Sequence, residues 1–388
     1  MRGTMICLLP LLFPTAALAQ EGAGAGADTA RTLEFSGRTW TVLAGDVKLE
    51  SHLGKEAALF RDGAIALRDL DFENGTIEFD VATTGQRSFI GVAFRIEERG
   101  EYEHFYLRPH NSGRFDAMQY TPVFNGVSAW QLYPEYNASI EIPYDQWLHV
   151  RMVVSGSNLK VYFGEAAEPT LDVDRLRHGR AHGAVAILAN FPAAEEHENL
   201  YPTAFADFEV HPDESPAAYE DVFTPAPERF IRRWAVSTAI QAPEGPVTEL
   251  PADLMEDREG WTIALAEASG LVNLARYRAI PEGADRGMIL ARIVIRSDSA
   301  QVKKLNFGFS DQGSIFLNGR ILFSANNTYR SRSQRYLGVV TVDNDAIYLP
   351  LQEGENELVI AVSESFGGWG LIGRFADLDR ITVETEPQ

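Results

Sequence analysis

The chain is 388 residues long and carries 34 Lys and Arg against 55 Asp and Glu, a formal charge of -21 at pH 7. That balance argues against nucleic acid or an anionic membrane as partner, because both need a positive field on the protein. At 45% apolar and 11% aromatic residues the composition is globular, and a lone cysteine, Cys7, rules out a disulfide framework.

At the N-terminus Arg2 precedes an apolar run from Met5 to Leu18, which closes on Ala17-Leu18-Ala19 before Gln20. A basic start, an apolar centre and small residues at the cleavage point predict an export signal over residues 1–19, and so a periplasmic or secreted protein. The run is too short for a bilayer core of about 30 Å and is broken by Pro10 and Pro14; no later stretch reaches that length, so no membrane insertion is expected. Cys7 lies inside the signal. The mature chain, about 370 residues and long enough for two domains, is therefore held by burial alone. Residues 20–32, rich in Gly and Ala, read as a flexible leader.

From residue 33 to residue 211 short apolar–polar alternations predict strands. Thr76 to Val81 is the clearest, with Ile77, Phe79 and Val81 on one face. Phe89–Ile96, Glu103–Pro109, Phe115–Thr121, Trp147–Val154, Leu159–Phe163, Gly183–Ala189 and Phe205–Val210 follow. Residues 212–227 carry Pro212, Pro216, Pro225 and Pro227 among acidic residues, a composition that cannot continue a sheet interior and marks a linker. A second β pattern fills residues 228–388, with Asn318-Gly319 as a type I′ hairpin signal between Ile315-Phe316-Leu317 and Ile321-Leu322-Phe323. Long runs of helical period are missing, so βαβ crossovers have nothing to form from. The expectation is an all-β protein of two β-sandwich domains of jelly-roll type.

Particular residues in the first domain carry a resemblance. Asn74-Gly75-Thr76-Ile77-Glu78-Phe79-Asp80, Gly91-Val92-Ala93-Phe94-Arg95, Tyr102 to His110, Trp147-Leu148-His149-Val150-Arg151, Val161-Tyr162-Phe163 and Ala206-Asp207-Phe208 stand in the order seen in one superfamily. The domain resembles the concanavalin A-like lectins and glucanases, in their laminin-G-like and 3-keto-disaccharide-hydrolase-like branch. The resemblance implies a many-stranded sandwich with one concave face on which relatives often hold carbohydrate. The second half, through Asp311 to Arg320 and Gly354 to Leu358, resembles the galactose-binding-like jelly rolls, which include sugar binders and inert supports alike.

Catalytic signatures do not follow. Retaining glucanases of that superfamily place carboxylates on one strand as Glu-x-Asp-x-x-Glu, about 5 Å apart. Here Glu78 and Asp80 share a face but Ala82 and Thr83 follow them, so a solvated strand face is the simpler reading and no catalytic residue is assigned. Nucleophile elbows, metalloprotease and phosphate-loop motifs are absent as well. The most informative polar run is Glu103 to His110. On an extended strand His104, Tyr106, Arg108 and His110 project from one face while Phe105 and Leu107 point into the core. With Asn111, Gln119 and Tyr120 on the following turn and strand, and Trp130 and Tyr133 in an aromatic loop, these side chains can ring a cleft that grips a glycan or cell-surface polysaccharide. The competing reading is a polar outer face with Trp130 and Tyr133 packing a loop.

No metal site has compact ligand spacing, and no cofactor is expected; Ca²⁺ is considered only through Asp311, Asp343 and Asp345, which read more simply as turn residues. Glu195-Glu196-His197-Glu198 reads as a solvated loop, and Trp369 among glycines as a core residue or an exposed platform. Three functional readings stand at this point. The first is a non-catalytic carbohydrate-binding or surface-interaction protein. The others are a carbohydrate-active hydrolase or lyase and a structural envelope protein.

Overall fold

The computed structural model describes residues 31–98, 100–197, 199–257 and 259–385. The expected export signal, Cys7 and nearly all of the expected leader lie outside the described residues, as does Glu198. The described chain is antiparallel β throughout, with Ala252–Glu256 as its one short α-helix. No helix among the described residues is long and apolar enough to cross a membrane. Two compact units result, one holding the chain up to Gly126 together with Glu135–Glu220, the other holding Val127–Pro134 and everything from Asp221 on. Val127–Pro134 thus departs from the sequence reading, which gave the whole of residues 33–211 to the first sandwich.

In the first unit the strands run Leu171–Val173, Asn158–Phe163, Trp147–Ser155, Gly75–Thr83, Thr203–Pro212, Lys55–Leu67, Ala184–Asn190, Phe89–Glu98, Glu101–Leu107 and Met118–Phe124 in sheet order. Lys55–Leu67 turns the corner between layers. Its first half pairs with Thr203–Pro212, as Phe205↔Ala58, and its second half with Ala184–Asn190, as Ala189↔Gly63. The bend falls where Gly45 meets Asp62 and Gly63: a Cβ on Gly45 would lie 1.9 Å from the Asp62 carbonyl oxygen, so only glycine lets the ladders cross there. Trp40, Phe60, Phe79, Phe205 and Phe208 fill the core beneath, with Trp40 edge-on to Phe208 at 5.0 Å.

Asn74 and Arg95, two of the residues that carry the resemblance, meet here. Arg95 is buried at 1% exposure and its guanidinium donates to the Glu73 carbonyl at 2.7 Å, the Gly156 carbonyl at 2.8 Å and Asn74 Oδ1 at 3.2 Å. Asn74 Oδ1 also accepts from Gly156 N at 2.7 Å. One charged side chain therefore ties two loops to a strand end, and the motif is a fold anchor.

In the second unit one sheet runs Thr262–Leu265, Arg233–Val236, Gly287–Ser297, Gly354–Glu364, Gln312–Leu317 and Arg320–Asn326, and the other Leu271–Asn273, Gly370–Phe375, Gln301–Ser310 and Asp345–Leu351. Asn318 and Gly319 adopt φ of 51° and 74°, the positive values of a type I′ turn. Trp369 is fully buried with its indole N–H donating to the Val362 carbonyl at 3.2 Å, which settles it as a core residue.

Candidate functional site

Strand alternation brings His104, Tyr106 and Arg108 to one face, as expected, but that face is buried. His104 is 1% exposed, Tyr106 2%, Arg108 6% and Gln119 0%. The expected contrast between a wet face and a core face is therefore wrong, because Phe105 and Leu107 on the other side are equally covered. The polar residues satisfy one another: Arg108 donates to the Tyr106 hydroxyl and Gln119 Oε1, and to the Asp116 carbonyl at 2.9 Å; Tyr106 donates to Gln119 Oε1 at 3.1 Å. The imidazole of His104 stacks on Tyr106 at 5.0 Å, and burial beside Arg108 pushes its pKa down to about 3. Burial similarly lowers His110 to about 4 and raises Tyr106 to about 12. Such a ladder is neutral apart from Arg108 and fixed by its own hydrogen bonds.

Other members of the sequence-predicted cleft go elsewhere. Tyr120 points to the opposite face from Gln119, where its hydroxyl donates to Glu103 Oε2 at 2.5 Å and accepts from Arg177 N at 2.8 Å. Asn111 donates to Asp116 Oδ2 at 3.0 Å in the turn after the strand. Trp130 and Tyr133 belong to the second unit, not to the one that holds His104. Tyr133 is wholly buried there, donating to Glu267 Oε1 at 2.7 Å.

Trp130 is half-buried in the second unit, 5.7 Å from Phe366 and 6.0 Å from Tyr329 between ring centres. Its buried neighbour Gln131 fixes it. Gln131 donates from its backbone to Gly367 and from its side chain to Leu337, and it accepts from Val340 N and the Ser310 hydroxyl, at 2.7 to 3.0 Å. Asp311 fixes the facing loop by accepting from Ser365 N, the Ser365 hydroxyl and Phe366 N. Those bonds make Asp311 an organiser of a turn. Asp343 pairs with Arg374 and Asp345 with Arg332, so each proposed Ca²⁺ ligand is engaged with the protein, and among the described residues no group of three or more His, Cys, Asp or Glu could hold a metal.

The sequence reading missed a constellation around Trp147 and Lys55. On the outer face of the first unit Trp147, Ala82, Ala204 and Leu59 stand in one cross-strand row, with His149, Asp80 and Ala206 in the next. Ala57, Leu59, Ala82, Ala204 and Ala206 form a buried apolar layer covered by half-buried Trp147 and Tyr201. Beside Trp147, Lys55 donates to Asp80 and, at 2.6 Å, to Asp207; Asp80 Oδ1 lies 2.8 Å from His149 Nδ1, and Glu78 3.9 Å from His149 Nε2. Hydrogen bonds to Asp207 and Asp80 raise the Lys55 pKa, so it is a fixed cation. Asp80, read from sequence as part of a solvated face, is only 8% exposed because these partners cover it. Alternation in Trp147-Leu148-His149 carried a signal for this face. The register that sets His149 opposite Asp80 did not show in it.

No family model matches the chain, and no curated protein does. Among solved structures the chain is similar to the carbohydrate binding module CBM66 from Bacillus subtilis, at 13% identity over 44% of this chain and 92% of that one, with a TM-score of 0.31. It is also similar to a Bacillus subtilis protein of unknown function with a galectin-like fold, at 10% identity over 44% and 88% with a TM-score of 0.32. A putative glycosyl hydrolase from Parabacteroides distasonis matches at 12% identity over 45% and 88%, with a TM-score of 0.31. The functional reading below rests on this chain's own residues.

Proposed function

We propose that the first unit binds a saccharide on its outer sheet face without cleaving it. The observation that carries this reading is Trp147, half-buried over an apolar layer and bordered by fixed donors and acceptors. A pyranose has an apolar face that packs on an aromatic ring and a rim of hydroxyls that need partners. Lys55 supplies donors, Asp207 and Glu78 supply acceptors, and His149 supplies either.

Cleavage fits this face poorly. A glycosidase acid must hold its proton near neutral pH, which needs apolar surroundings or a close second carboxylate. Asp80 instead has both oxygens engaged by the protein, Oδ2 by Lys55 and Oδ1 by His149, so neither is directed at a glycosidic oxygen. Mature protein is therefore expected to bind one or more polysaccharides from a panel and to release no new reducing ends overnight. Trp147→Ala should weaken that binding at least tenfold and leave the melting temperature within a few degrees. Loss of stability without loss of binding would remove the face from consideration, and released oligosaccharides would favour the hydrolase reading.

A further inference from the structure

Away from that face, the second unit concentrates positive charge in a chain of net charge -21. From Gln312 to Val342 there is no Asp or Glu, yet Arg320, Arg330, Arg332 and Arg335 all fall there. The last three project from one loop between Asn326 and Asp345. Its base is closed by Arg330 N donating to the Tyr336 carbonyl at 2.8 Å, and Arg332 anchors it by bonding Asn327 Oδ1 and Asp345 and lying over the Tyr336 ring. Arg332 is thus spent on structure. Arg330 and Arg335 are exposed, and among the described residues neither has a carboxylate within salt-bridge distance.

A second feature adjoins this loop. Arg330 lies over the Tyr329 ring at 4.8 Å, and Tyr329 in turn meets Trp130, which meets Phe366. Aromatic surface therefore passes directly into guanidinium groups. Both sides of it are held rigidly, by Gln131 under Trp130 and by Asp311 under Phe366. We propose that this cluster is a second saccharide site, selective for sugars that carry an acidic group. The rings receive the apolar face of a sugar, and Arg330 with Arg335 receives its carboxylate or sulfate through charge-assisted hydrogen bonds. At physiological salt charges more than about 8 Å away are screened, so the acidity of the rest of the chain does not cancel a local guanidinium pair. Nucleic acid has the same aromatic and anionic chemistry but presents a charge about every 1.7 Å along the duplex axis, a run that two exposed arginines are too few to neutralise.

The site is independent of Trp147, and the test keeps the two apart. Full-length mature protein is titrated with polygalacturonate, dextran sulfate, neutral dextran and single-stranded oligodeoxythymidine. Binding to polygalacturonate or dextran sulfate is expected, and whichever binds names the acidic group. That binding should fall at least tenfold in the Arg330→Ala/Arg335→Ala double variant and in Trp130→Ala, fall again as salt is raised, and persist in Trp147→Ala. Both arginines are exposed, so the double variant should melt with the wild type; Trp130→Ala is read only if its melting is also preserved. The proposal is overturned if neither anionic polymer binds, if dextran or oligodeoxythymidine binds as tightly as the anionic polymer, or if the arginine variant binds like wild type.

Discussion

Glu364 is 1% exposed, its Oε1 accepts from Gly368 N at 2.9 Å, and its Oε2 has no hydrogen-bond partner. Burial and the nearby Asp311 carboxyl raise its pKa well above the usual carboxylate range. Burial raises Asp311 too, against hydrogen bonds from Ser365 and Phe366 that lower it. A carboxyl whose folded pKa is raised contributes fully below its unfolded value, about 4.3, and its contribution is lost as pH climbs toward the folded value. Within that window the second unit should lose up to about 1.4 kcal/mol per pH unit. Hydrogen exchange at the amides of Gly354–Glu364, corrected for intrinsic rates, reads this unit alone; protection should fall by up to about tenfold per pH unit. Glu364→Gln keeps the acceptor for Gly368 and removes the titration, so its protection should be nearly flat over the same range. A wild-type profile that is already flat, or a Glu364→Gln profile that keeps the slope, would refute the reasoning.

Three further substitutions test the first unit. Arg108→Ala should cost about 2–4 kcal/mol by leaving Tyr106, Gln119 and the Asp116 carbonyl short of a buried donor, and Phe105→Ala about 3–5 kcal/mol through its cavity, so both should lower the melting temperature visibly. A silent Arg108→Ala would show that the ladder is open to water. Arg95→Met fills similar volume but abandons the Glu73 and Gly156 carbonyls and Asn74; a loss of about 3–5 kcal/mol in urea unfolding is expected, and a change under about 1 kcal/mol would mean the loops hold themselves.

Strand positions were legible because period 2 is a local property. Trp147–Ser155 and Asn158–Phe163 fall within a residue of their expected bounds, whereas Phe115 lies in an exposed turn and its strand starts at Met118. The long strands Arg38–His52 and Lys55–Leu67 were harder to see. Their alternation breaks at the Gly45 and Gly63 corner, where one strand changes layers, and Lys55–Leu67 reads AALF then AIAL because successive residues are covered on both sides. Alternation reports which residues share a face. It cannot report whether that face is wet, and this is why His104, Tyr106 and Arg108 were grouped correctly and yet misjudged as exposed.

The site posed a different difficulty, since it depends on which strands become neighbours. Trp147 and His149 were visible on one strand and Glu78 and Asp80 on another, but the pairing His149↔Asp80 spans 69 positions, and Lys55 with Asp207 spans 152. Trp130 shows the reverse case. Its neighbours in sequence, Gly126 and Glu135, belong to the first unit, while Gln131 draws it into the second through bonds to Leu337, Val340 and Gly367. A buried glutamine with all its polar groups satisfied looks in sequence like any loop glutamine. Its consequence is to place Trp130 in the second unit beside Tyr329, which Arg330 covers, while Trp147 stands beside Lys55 in the first.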